Sequence, residues 1–219
     1  MIFDRVLDGL GSAIVDGSLP PGHRDSIDGF VSRTGSSRSI VREAVRVLVG
    51  LGLLSAGRRV GLRVLPASEW DVLDPRVVGW RLAGPAREVT LAELRALRRA
   101  VEPAAARAAA GRASDASQRA SQEALLAAAD RLAAATGPDD AATFLQADRE
   151  VHRLVLELSG NALYGRLHRV VARALDERAG IRPAVHDVGL HARLARAVVD
   201  GDPDGAGVVM TEIIDRTGA

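Results

Sequence analysis

The apolar residues at the start of the chain recur with the spacing of one helix face. In FDRVLDGLGSAIVDG they fall at positions 3, 6, 7, 10, 14 and 15, and the segment SLPPG then ends the pattern. The pattern predicts a first helix that ends near Gly17. It also predicts a short second helix over residues 26–33, a turn at Thr34 and Gly35, and a third helix directly after it.

The third predicted helix separates an apolar stripe from a row of arginines. Ser36 or Ser37 can cap it by accepting the free backbone N–H groups of its first turn. The arginines Arg38, Arg42 and Arg46 follow at four-residue intervals and project from another face. The buried stripe consists of Ile40, Val41, Ala44, Val45 and Leu48.

A basic hairpin is predicted after the third helix. In LLSAGRRVGLRVL the residues 53–55 and 62–65 read as short strands, and the Gly-flanked turn between them carries Arg58 and Arg59. Three helices and this hairpin predict a winged helix-turn-helix over residues 1–66, in which the third helix enters the DNA major groove and arginine pairs with guanine. A solvated charged face is the alternative for the arginine row alone, but the glycine turn and the hairpin favour DNA binding.

From residue 67 onward the pattern is helical. Residues 67–87 read as a linker with a short helix around 75–82, and Trp70 and Trp80 are expected to pack against one of the domains. Glycines then separate six helical segments, which predict an all-α bundle over residues 88–219. The predicted segments are 91–110, 116–135, 140–159, 163–179, 188–200 and 203–214.

Composition and charge narrow the chemistry of the chain. Cys is absent from its 219 residues, which excludes disulfides, thiolate catalysis and cysteine-ligated zinc, so a metal would need His and carboxylate ligands. Residues 1–66 are mildly basic, with nine Arg against six acids, whereas residues 88–219 have seventeen Arg against nineteen acids. There is no apolar run of about 20 residues and the N-terminus carries Asp4 and Asp8, so we expect a cytoplasmic protein.

One polar pair in the helical region suggests a metal site. The segment ADREVH places Asp148 and His152 four residues apart, on one helix face, where both can approach a single ion. His191 opens a later helix. For the pair taken alone, a hydrogen-bonded couple at the surface is the simpler interpretation.

The N-terminal motifs LPPG, TGSSRSIVREAV and GLGLLSAGRRVGLRV resemble the DNA-binding domain of GntR-family bacterial transcription regulators over residues 5–66. One departure is Asp28, where the family often has a basic residue; a carboxylate there would repel phosphate, so operator preference does not carry over from the family. The residues that the resemblance places at the operator are Ser37, Arg38, Ser39 and Arg42 of the third helix and Arg58, Arg59 and Gly61 of the hairpin.

The motifs LRALRRAVEPAAARAAA, DREVHRLVLELSGN and HARLARAVVDGDPDGA resemble the FCD effector domain of the FadR-type branch of the same family. This resemblance implies that Asp148, His152 and His191 hold a divalent metal such as zinc, nickel or manganese. The fourth ligand of that domain would lie twenty-two residues beyond His191, where this chain has Ile213. His168 and His186 could substitute, but no helical register favours either.

The resemblance also assigns a role to Arg98, which lies five residues before Pro103. It implies that this side chain enters the domain cavity and receives a carboxylate, which suits its planar fork. An intrahelical salt bridge with Glu102, one turn along, is the alternative. Both pairings could occur at different times.

The linker and first effector helix are similar to those of sugar-acid-responsive members, which implies an aldonate effector such as galactonate or gluconate. The resulting hypothesis is a homodimeric repressor that binds double-stranded operator DNA and is released by the acid. Two other functions use the same residues: a metal-dependent enzyme acting on a small carboxylate, and a regulator that senses the metal itself. The sequence shows no obvious general base near the ligands, which argues against the enzyme.

Overall fold

The computed structural model describes residues 1–57, 61–135, 137, 140–177 and 185–216, without the side chains of 185–188. The chain forms two compact units, Met1–Leu91 and Ala92–Ala219. The described residues contain three strands, β1 (Arg24–Asp25), β2 (Leu54–Gly57) and β3 (Gly61–Val64). The helices are α1 (Ile2–Val15), α2 (Ile27–Thr34), α3 (Arg38–Gly50), α4 (Pro75–Ala83), α5 (Arg87–Ala110), α6 (Arg119–Ala134), α7 (Ala141–Leu158), α8 (Ala162–Asp176), α9 (Val185–Val199) and α10 (Pro203–Arg216).

Local capping explains the tight connection between α2 and α3. The Ser26 hydroxyl accepts the Gly29 N–H at 3.0 Å and starts α2. Gly35 ends the helix with φ 63°, a left-handed conformation that glycine adopts without a Cβ penalty. Ser37 then caps α3, so the helices are joined by a short turn and α3 keeps its apolar stripe on the core.

The small sheet is antiparallel with strand order β1-β3-β2. The predicted hairpin is present, with Leu54 opposite Val64 and Gly57 opposite Gly61. The edge strand β1, with Arg24 opposite Arg63, was not predicted from the sequence. A strand of two residues is too short to show an alternation of apolar and polar side chains. The predicted winged helix-turn-helix fold is confirmed, with this third strand added.

The segment predicted as a linker folds within the first compact unit. Helix α4 packs on α1, where the Trp80 indole donates from Nε1 to Asp8 Oδ1 at 3.1 Å. A Cβ at Gly11 would lie 2.5 Å from the Trp80 ring, so this glycine allows the two helices to approach. Trp70 donates from Nε1 to the Leu65 carbonyl at 3.1 Å. Both tryptophans therefore pack in this unit.

The second compact unit is helical throughout its described part, as predicted. Helix α6 packs against both α7 and α9, and α9 packs against α10, around an apolar core that includes Leu125, Val155, Leu194 and Met210. Helix α9 begins at Val185, so His191 lies in its second turn rather than at its start. Among the described residues, none of the helices combines the length and apolarity that a membrane-spanning segment requires.

Candidate functional sites

The predicted reading face of α3 carries three exposed arginines whose surroundings differ. Arg38 forms an ion pair with Asp28 across the turn between α2 and α3, with Nη1 and Oδ1 2.8 Å apart. Arg46 donates from Nη1 to Glu43 Oε1 at 2.5 Å within α3. Arg42 makes no ion pair with any part of the chain that the structure describes. All three side chains are exposed, so the row lies on a face other than the buried stripe, as the sequence pattern predicted.

The two serines assigned to the operator surface lie at the start of α3. The Ser37 hydroxyl accepts the Ile40 N–H at 3.4 Å and lies 3.1 Å from the Ser39 hydroxyl. Both side chains are exposed. The first turn of α3 therefore presents hydroxyls and backbone N–H groups, a combination that suits phosphate oxygens.

The hairpin residues are only partly described. Gly61 begins β3 with φ 71°, and a Cβ there would lie 2.8 Å from the Asp25 carbonyl oxygen, so glycine is required. Arg58 and Arg59 lie outside the described residues. The sheet adds an exposed basic pair that sequence reasoning missed, because Arg24 and Arg63 stand opposite each other on neighbouring strands.

A buried polar cluster brings the three predicted metal ligands together. Asp148 and His152 come from α7 and His191 from α9, and one ligand atom of each lies within 4.8 Å of the others. The Asp148 Oδ1 atom is 3.0 Å from His191 Nε2 and 3.7 Å from His152 Nε2. All three side chains are at most 1% exposed. The surface couple considered for Asp148 and His152 is therefore wrong.

Arg98 and Glu102 of α5 extend this cluster. The Arg98 Nε donates to Glu102 Oε1 at 2.7 Å, which is the intrahelical pair expected as the alternative. The other oxygen of Glu102 binds Nδ1 of His152, which leaves Nε2 of this imidazole facing Asp148. Arg98 Nη2 is 3.5 Å from the same Nε2 atom. Glu102 thus links the predicted carboxylate-binding arginine to a predicted metal ligand.

The electrostatic surroundings keep Glu102 ionised. Burial by itself would raise the pKa of this carboxyl, but the Arg98 guanidinium and then His152 outweigh it and lower the pKa to about 2. A buried carboxylate with this pKa is a fixed negative charge at neutral pH. It balances Arg98, which is only 5% exposed.

This donor set fits a divalent metal. Two imidazoles and one carboxylate are ligands that zinc, nickel and manganese accept, and the three ligand atoms converge without Cys. Metal-binding histidines usually donate their second ring N–H to a carboxylate, and Glu102 provides such a partner for His152. The arrangement meets both requirements from residues of this chain alone.

Among the described residues, none of the positions considered for a fourth ligand adds a ligand atom to the cluster. Ile213 is buried in the apolar core of the second unit and has no ligand atom. His168 is half-buried and donates from Nδ1 to the Gly165 carbonyl at 2.6 Å. The side chain of His186 lies outside the described residues. Within the described part of the chain, the cluster has three ligands.

The fold defines a class of protein: a transcription regulator with a winged helix-turn-helix head and an all-α second unit. The model of the FCD domain family matches residues 93–216. The galactonate operon transcriptional repressor of Escherichia coli (strain K12) is 30% identical over 179 residues, which cover 80% of this chain and 76% of that protein.

Two solved structures share the fold. Streptococcus agalactiae GntR covers 99% of this chain and 98% of its own, with a TM-score of 0.55 and 20% identity. Lar, which controls expression of the Listeria monocytogenes agr system, covers 100% of this chain and 95% of its own, with a TM-score of 0.61 and 16% identity.

The chain belongs to the GntR family of transcription regulators, in the FadR-type branch whose second domain is an FCD domain. The proteins it matches are regulators rather than enzymes, so the enzyme considered from the sequence is not retained.

Proposed function

We propose that the protein is a DNA-binding repressor that leaves its operator when a small organic acid binds beside a divalent metal ion in the second unit. The observation that carries this proposal is the buried contact of Arg98 with His152, one of the three residues of the Asp148, His152 and His191 cluster. The name of the galactonate operon relative supports a sugar acid, such as galactonate or gluconate, as the effector.

The charges of the buried site favour this pair of ligands. As metal ligands the two imidazoles are neutral, so Arg98 stands against the two carboxylates of Glu102 and Asp148, with a formal net charge of one negative. A divalent ion would make the site positive by one, and a single carboxylate would then neutralise it. A neutral site is favoured because an unbalanced charge is costly in a buried environment.

The side chains have distinct roles in binding the acid. Arg98 uses Nε for Glu102, so its Nη groups remain to bind a carboxylate next to the metal ligands. Glu102 holds both Arg98 and the His152 ring in place. A bound ion would supply open coordination positions for a carboxylate and a neighbouring hydroxyl, which a three-ligand site leaves available.

We assign operator binding to residues 1–66, a linker role to residues 67–87, and effector binding and dimerisation to residues 88–219. A homodimer would place two copies of α3 in successive major grooves of a palindrome. Arg38, Ser39 and Arg42 face the bases and Ser37 the backbone. Gly61 and the hairpin arginines Arg58, Arg59 and Arg63, together with Arg24 of β1, would contact the neighbouring backbone or minor groove.

Release requires the acid to bind the state without operator more tightly than the operator-bound state. A coupling free energy of about 1 to 3 kcal/mol would change operator affinity roughly 5- to 150-fold, which is sufficient for regulation.

A titration of metal, acid and DNA tests the proposal. Calorimetry with Zn²⁺, Ni²⁺ or Mn²⁺, followed by galactonate or gluconate, should show acid binding that depends on the metal. Asp148→Asn should weaken metal binding, by at least the 10- to 100-fold typical of disturbed metal shells, whereas His168→Ala should not.

In a mobility-shift assay the acid should release the operator only with metal present. Release by metal alone would identify a metal sensor, and unchanged metal affinity in Asp148→Asn would refute the assigned site.

A further inference from the structure

Asp28 stands in the reading surface at a position where positive charge would be expected. It lies in the first turn of α2, two residues after the cap Ser26, and its carboxylate is directed across the turn to Arg38. The contact joins Nη1 of Arg38 to Oδ1 of Asp28 at 2.8 Å, and both side chains are more than 60% exposed. The pair therefore links the second helix to the first residue of α3.

A second arginine on α3 provides an internal comparison. Arg46 is also exposed and paired with a carboxylate, but its partner Glu43 lies on the same helix. Loss of either carboxylate removes one exposed negative charge from the two helices α2 and α3. Only the loss of Asp28 also frees an arginine at the N-terminal end of α3, where a recognition helix contacts bases.

We propose that Asp28 is a specificity-determining positioning residue, which holds Arg38 for base readout and disfavours its use on phosphates. This inference rests on the proposed function, because it requires α3 to read DNA. The contact occupies one terminal amino group of Arg38 and leaves the rest of the guanidinium for a base edge. A guanidinium that is already restrained loses less side-chain freedom when it pairs with guanine.

The same carboxylate acts against non-specific binding. An unrestrained arginine can turn to any phosphate nearby, and phosphate contacts add affinity without sequence information. A carboxylate beside Arg38 opposes such contacts by repelling phosphate. Because the pair is exposed, it is weak enough to rearrange and restrains the arginine without locking it.

The test compares Asp28→Asn with Glu43→Gln. Binding sites are first selected with the wild-type chain from a pool of random double-stranded DNA. Dissociation constants are then measured at one salt concentration for the selected site, its single-base variants and a scrambled duplex. Both variants should bind the scrambled duplex more tightly, because each loses one negative charge. Asp28→Asn should also lower the ratio of specific to non-specific affinity about twofold to fivefold, while Glu43→Gln leaves it unchanged.

A double variant separates positioning from a change in fold or charge. In the Arg38→Ala background, Asp28→Asn should no longer change the discrimination among single-base variants. Equal ratios for Asp28→Asn and Glu43→Gln, or a loss of discrimination that persists without Arg38, would overturn the inference while leaving sequence-specific binding intact. Failure of the wild-type chain to select any sequence would instead refute both this inference and the proposed function.

Discussion

The arginines of the two units lie in opposite environments. On α3 the side chains of Arg38, Arg42 and Arg46 are exposed, and their carboxylate partners, where present, are exposed as well. In the second unit Arg98 is buried with a fully buried partner, Glu102. The first set is available to an external polyanion, whereas the second is part of the interior of the domain.

This difference determines what each charge contributes. Exposed ion pairs add about 0.2–1 kcal/mol to stability, so their substitution should change binding and spare the fold. A buried pair is different, because removal of one partner leaves an uncompensated charge in the interior. Equal losses in the free energy of unfolding for substitutions of exposed and of buried ion-pair partners would contradict this contrast.

The largest expected effect is on the stability of the second unit. Glu102→Ala should lower the free energy of unfolding by about 3 to 5 kcal/mol, because Arg98 would remain buried without its counter-charge. Glu43→Ala is the matched control on α3 and should cost less than about 1 kcal/mol. Urea unfolding of the metal-free chain, followed by circular dichroism, measures both. Similar losses in the two variants would mean that the Arg98 pair is solvated in solution.

The next effect is a dependence of the free energy of unfolding on pH. The pKa of Glu102 is lowered from 4.5 to about 2, so its contribution is fully present above about pH 4.5 and is lost as the pH falls through about 2. The loss should be on the order of 3 kcal/mol for metal-free protein. The double variant Arg98→Gln/Glu102→Gln lacks both charges, so its unfolding free energy should fall less over the same range. An identical fall in the variant would assign the acid sensitivity to other carboxyls.

The two sites differ in how far the sequence could predict them. The exposure of Arg38 and Arg42 follows from helix periodicity, since the apolar stripe of α3 fixes which face is buried. The spacing of Asp148 and His152 likewise places both on one face of α7. By contrast, the contact of Glu102 with His152 joins residues 50 positions apart, and no local period contains that information.

Other features required the three-dimensional packing for similar reasons. Glu102 could be predicted only as the one-turn neighbour of Arg98, since a buried arginine needs a carboxylate within reach. The pairing of Asp28 with Arg38 depends on the angle of the α2–α3 turn, which Gly35 sets. Strand β1 is formed by pairing with β3 rather than by its own two residues.

The smallest of these effects is confined to DNA affinity and would separate the two roles of arginine. Arg42→Ala should weaken operator binding by about 1 to 3 kcal/mol, the range of one good base contact, because Arg42 is the arginine of the row without an ion pair to the described residues. Arg46→Ala, which removes an arginine already paired with Glu43, should weaken it less. Metal affinity and unfolding free energy should stay unchanged in both variants, as measured by calorimetry and urea unfolding. If Arg42→Ala instead lowered stability or metal affinity while the operator still bound normally, the exposed row would belong to the structural part of the molecule and the contrast with Arg98 would be lost.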